Sequence, residues 1–187
     1  MKTEYLGRSV LILEQDVDDP VGNRRDRWFD GFRKPGDIYL PLVMVNSGHR
    51  VSNGNEDFES YYRFMVNDAL QRPANASMAV QAVHVGNELD IDVTLTNHSG
   101  TALSSANAAR INVLVWEDPT TVSEVPVVRR AGSVRITDLA DGDSGDFSLE
   151  VGTGGIAANR LRWVVIADYQ PYGSNAPFDT LQAVTGP

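Results

Sequence analysis

From residue 76 onward apolar and polar residues alternate with a period of two, and this pattern constrains the chain more than any other feature. Residues 78–85, 88–96, 111–117, 125–130 with 132–136, 145–151, 161–169 and 178–184 read as short strands separated by Gly, Asn, Asp and Pro turns. A strand with one apolar face must bury that face against another layer. About seven such strands in about 110 residues, with no helix between them, therefore predict two packed antiparallel sheets. Trp116 and Trp163 fall in separate apolar strands and are expected to anchor the core.

The first 73 residues are organised differently. Residues 9–13 form an apolar run of strand length, ended by the acidic stretch 14–19 and Pro20. Asp19 or Asn23 can cap a helix over residues 24–32, in which Trp28, Phe29 and Phe32 share one face. Arg24, Arg25 and Arg27, diluted by Asp26 and Asp30, read as its solvated face. A second strand covers residues 39–46 and opens at Pro41, a place where an X-Pro bond can be cis. After turns at 47–50 and 52–55, a helix is expected over 58–70, with Phe58, Tyr61, Tyr62, Met65, Val66, Ala69 and Leu70 at helical spacing. Residues 72–75 end it, giving expected domains at 1–73 and 76–187.

The net charge of -9 argues against a nucleic-acid partner, which requires clustered cations to displace counterions. No apolar run approaches the length of a membrane span. The opening Met-Lys-Thr-Glu-Tyr-Leu-Gly-Arg lacks the apolar centre of a secretory signal. It leaves two readings, a cytoplasmic protein or one whose signal lies outside this chain. There is no cysteine, so this chain supplies no thiol for disulfide exchange.

Residues 10–20, the Arg-rich aromatic helix, residues 40–48 around Leu40-Pro41 and the helix ending Ala69-Leu70-Gln71-Arg72-Pro73 resemble bacterial extracytoplasmic thioredoxin-like proteins of the Omp28-related type. The resemblance implies an α+β fold, a partial, degenerate thioredoxin-like α/β subdomain followed by an immunoglobulin- or fibronectin-like β-sandwich. It also implies an extracytoplasmic location and a structural cis-proline at Pro41. The strand–helix unit that would carry a Cys-x-x-Cys motif is missing. A half-sheet leaves an edge, so residues 9–13 or 42–45 are expected to pair with a protein partner or with a second copy in a homo-oligomer.

Candidate sites are sparse. Asp141, Asp143 and Asp146 form an oxygen-rich, Gly-containing loop that is a weak calcium candidate, although a turn before the next strand explains the same residues. Asp16, Asp18 and Asp19 read as strand-end and capping residues. His49, His84 and His98 are scattered without sequence-local partners, and no nucleophile elbow or phosphate-binding Gly pattern occurs. Tyr169, Tyr172 and Phe178 lie in or beside a Pro- and Gly-containing loop that is a binding candidate. The residues point to a non-catalytic interaction or assembly module without a cofactor. Two alternatives stay open, the C-terminal fragment of a thiol oxidoreductase and a carbohydrate-binding sandwich.

Overall fold

The computed structural model describes residues 5, 10–15, 22–32, 37–54, 58–119, 125–172 and 176–187, without the side chains of 22–25. Strands β3 (Ala76–Val85), β4 (Glu88–Asn97) and β9 (Ser144–Gly152) form one antiparallel sheet in the order β3-β4-β9. The second sheet runs β11-β10-β6-β7, built from β6 (Arg110–Glu117), β7 (Val128–Arg135), β10 (Leu161–Tyr169) and β11 (Asp179–Gly186). Two short strands, β5 (Leu103–Ser104) and β8 (Asp138–Leu139), pair beside them. Leu89, Ile91, Val93 and Leu95 of β4 meet Ile111, Val113 and Val115 of β6 and Trp163, Val165 and Ala167 of β10 in one core. Each fully buried aliphatic side chain there contributes about 1.5–3 kcal/mol relative to exposure.

The two sheets bury different amounts of themselves. In β4 burial alternates along the strand and Asp92 on the far face is exposed. In β6 six consecutive residues are buried. A strand buried on both faces loses the alternation that marks a half-buried one. Its outer cover comes from the N-terminal part of the chain. Trp28 of helix α1 (Gly22–Phe32) packs with Leu114, Trp116, Val128, Val164 and Phe178, and Leu13 and Met44 pack against the same cluster. Met44 belongs to the hairpin of β1 (Leu42–Val45) and β2 (Arg50–Asn53), and helix α2 (Phe58–Leu70) follows that hairpin.

This is not the expected α+β arrangement of a thioredoxin-like subdomain and an immunoglobulin-like sandwich. The protein is mostly β, a small β-rich domain of several antiparallel sheets without a thioredoxin-like α/β signal. Among the described residues β1 pairs only with β2, antiparallel, and no parallel strand–helix–strand unit exists. Residues 10–13 are not a strand. Only Glu14 pairs, in a single parallel bridge with Val127, where its N–H donates to the Pro126 carbonyl at 2.9 Å and its carbonyl accepts from Val128 N–H at 2.8 Å. A short apolar run reads the same whether it joins a ladder or covers a sheet face. Here Leu13 does the second. The basic stretch also departs from expectation, because Arg27 is largely buried and paired instead of solvated. Arg24 and Arg25 lie outside the described side chains.

Helix α1 sits close enough to the sheet to need a glycine. A Cβ on Gly31 would stand 2.6 Å from Phe178 Cδ2 and 3.3 Å from the Ala176 carbonyl oxygen. Alanine is favoured over glycine within a helix by about 1 kcal/mol. Overpacking against a buried ring costs about 1–3 kcal/mol. Gly31→Ala should therefore lower the urea midpoint, with a net loss of up to about 2 kcal/mol, and a raised midpoint would show that the helix has room to move outward.

Candidate functional site

The residues on the α1 side of β10 include one that does not belong in an apolar strand. Val164 and Ile166 point away from the inter-sheet core, and by the same parity so does Asp168, next to an irregularity in the β10–β11 register. Asp168 is completely buried. Its Oδ2 accepts from Trp28 Nε1 at 2.7 Å and from Asn112 Nδ2 at 2.8 Å. Arg27 NH1 lies 2.9 Å from Oδ1, within ion-pair distance but off the line of a hydrogen bond. Arg27 NH2 donates to the Ala108 carbonyl at 2.6 Å, and the guanidinium carbon lies 3.7 Å from the centroid of the Phe178 ring. Burial pushes the Asp168 carboxyl above the usual carboxylate range, opposed by the Arg27 charge and the donated hydrogen bonds. Burial lowers Arg27 against the attraction of Asp168.

A second polar seam ties the β1–β2 turn and the end of α2 to β11. Arg72 pairs with Asp179, and its NH1 lies 3.0 Å from His49 Nε2. Arg50 Nε donates to Asp68 Oδ2 at 3.0 Å. The Ser47 and Thr180 hydroxyls are 2.9 Å apart. Partial burial, then the positive charge of Arg72, lowers the pKa of His49 from its ordinary value of 6.5. The unfolded chain consequently holds an extra proton between the folded value and 6.5, and stability falls as pH drops through that window. His49→Gln should flatten this part of the profile in urea unfolding across pH 5–8. An unchanged slope would mean that His49 is not the group responsible.

The third feature is a cleft of about 580 Å³ between residues 10–15, β1, the end of α2 and Trp28. Its walls are nearly all apolar, including Ile12, Leu13, Ile38, Val43, Val66 and Ala69, and among the described residues Glu14 is the single charged member of the lining. Leu40 is 67% exposed, Leu11 42% and Leu70 38%, so the rim presents large apolar side chains to solvent. The Gln15 Oε1 is shielded from solvent and has no hydrogen-bond partner among the described residues. Pro41, at the lip, follows a cis peptide bond.

The other sequence candidates do not converge. Tyr169 and Phe178 are buried in different clusters, and Tyr172 is exposed without them, so no aromatic platform forms. Asp141 Oδ1 accepts from Gly100 N–H at 2.8 Å and Asp146 Oδ1 from the Thr94 hydroxyl at 2.7 Å. The Asp143 N–H donates to the Ala140 carbonyl at 3.1 Å, as a turn requires. Among the described residues no group of three or more His, Asp or Glu is arranged to hold a metal. Asp16, Asp18 and Asp19 lie outside the described residues. His98 approaches Ser77 at 3.1 Å, far in sequence from His49. What the sequence reading missed was the Asp168 node. Its signal was a lone carboxylate within a nine-residue strand that is otherwise largely apolar.

No protein-family model and no curated protein matches this chain. Among solved structures it is similar to a β-glucosidase from Kluyveromyces marxianus in complex with glucose, at 10% identity and a TM-score of 0.35, over 60% of this chain and 14% of that one. It is similar to the sporulation control protein Spo0M of Bacillus subtilis at 10% identity and 0.33, over 60% and 47%. A penta-heme cytochrome c552 from Thermochromatium tepidum gives 8% and 0.39, over 88% and 50%. The chain thus spans half or less of each, and likenesses this weak assign neither class nor activity. Among the described residues no helix is long and apolar enough to cross a membrane.

Proposed function

We propose that the chain is a non-catalytic binding module whose ligand enters the apolar cleft beside β1. The observation that carries this reading is the cleft itself, an apolar space of about 580 Å³ with Leu11, Ile38, Leu40 and Leu70 exposed at its rim. Concave, largely apolar sites with a few polar groups are where small ligands and peptide side chains bind. Large exposed apolar residues brought together at one place mark interaction surfaces. The buried or half-buried ionisable groups Arg27, Asp168, Arg72 and Asp179 are engaged in pairs that hold layers together. They are therefore poorly placed for acid–base work on a ligand. The fragment-of-an-oxidoreductase and carbohydrate-binding readings have no comparable observation in their favour.

The neutral dye Nile red tests the reading. It should bind saturably with blue-shifted emission, and Leu11→Glu with Leu70→Glu should weaken binding about tenfold or more while leaving the amide spectrum dispersed. Both residues are partly solvent-exposed, so the charges do not enter the core. Absent saturable binding, or binding that the double variant leaves intact, would remove the cleft from consideration.

A further inference from the structure

The cleft has a wall that small-molecule pockets usually lack, the unpaired edge of a strand. β1 is bonded to β2 on one side only among the described residues. The Gly54 N–H donates to the Pro41 carbonyl at 3.2 Å, which makes that facing pair a hydrogen-bonded one. Antiparallel ladders alternate, so with Val43 opposite Ser52 and Val45 opposite Arg50 those two residues also turn their backbone groups toward β2. Leu42 and Met44 turn theirs the other way, toward the cleft that both residues line. Among the described residues those outward groups have no backbone partner. Backbone N–H and C=O groups are strong, obligatory hydrogen-bonding groups, and an exposed row of them is a template for another strand.

We infer, building on the binding-module reading, that the occupant is an extended apolar peptide with cationic flanks, which adds as a strand to the Leu42–Val45 edge. Strand addition takes affinity from main-chain hydrogen bonds and specificity from pockets for alternate side chains. Both halves are present here. Leu42 and Met44 offer the main-chain groups, and the apolar walls at Ile12, Leu13, Val66 and Ala69 receive side chains. Charge decides the flanks. Glu14 in the lining and Asp37 beside Ile38 are both exposed acids, and among the described residues of the lining there is no Lys or Arg.

The test uses the intact chain and the peptide acetyl-Lys-Val-Val-Leu-Val-Lys-amide. Titration should displace Nile red, and hydrogen exchange by NMR should show the Leu42 and Met44 amides becoming protected. A peptide with every internal backbone nitrogen methylated should bind about tenfold more weakly or worse, as should one with Glu in place of both Lys. Dye binding without peptide binding leaves the cleft reading standing and overturns strand addition. Loss of both overturns both. Equal binding by the methylated peptide, displacement of dye by oleate but not by peptide, or protection of the same two amides in a dimer of the chain alone would each assign a different occupant and overturn the inference.

Discussion

The arrangement depends on a carboxylate buried where an apolar side chain would be expected. Asp168 has no access to water, so the cost of burying it must be met by donors supplied from within the chain. Asn112 on the neighbouring strand and Trp28 on α1 donate hydrogen bonds to it, and Arg27, next to Trp28, adds the opposite charge at ion-pair distance. An apolar contact alone would let a helix slide along the sheet. Directed bonds to one carboxylate do not. The position of α1 then fixes the hairpin, because the β1–β2 turn passes so near α1 that a Cβ on Gly48 would lie 2.7 Å from the Trp28 carbonyl oxygen. Gly48 also takes a φ of 87°, which glycine adopts freely.

The cleft follows from that placement. The hairpin is held from the α1 side by Gly48, from β11 by Ser47 through Thr180, and from α2 and the residues after it by Arg50 through Asp68 and His49 through Arg72, while residues 10–14 are held at the far end by the Glu14–Val127 bridge. Between these anchors β1 faces the cleft with nothing paired to its outer edge among the described residues. A polar frame thus surrounds an apolar opening with an unpaired strand edge. Burial of apolar rim surface and pairing of the strand edge would both favour an occupant.

Much of the β-rich part was legible in the sequence because a strand with one dry face shows period two. β4 is the clearest case, with Leu89, Ile91, Val93 and Leu95 in the core. Helix α2 was legible for the same kind of reason, its period being nearer 3.6. The failures have physical causes too. Residues 10–13 look like a strand because apolar content precedes any knowledge of a pairing partner, and Arg27 looks solvated because its counter-ion lies 141 positions away at Asp168. The thioredoxin-like expectation joined these local signals into a parallel sheet. The antiparallel β1–β2 hairpin and the single bridge at Glu14 show that no such sheet is assembled among the described residues. The cleft could not be read in advance, since its lining is drawn from segments 10–15, 28, 38–46, 66–70 and 125, which only the folded N-terminal part brings together.

The central claim is that Asp168 holds α1, and with it the N-terminal layer, on the outer face of the sheet. Hydrogen exchange at the Trp28 indole N–H, followed by NMR in the wild type and in Asp168→Ala, tests it most directly. The account predicts that this proton exchanges slowly in the wild type, alongside the β6 and β10 amides. In the variant it should exchange fast while those sheet amides stay protected. A wild-type indole that exchanges as freely as one in solvent, or one whose protection survives the loss of the carboxylate, would contradict it.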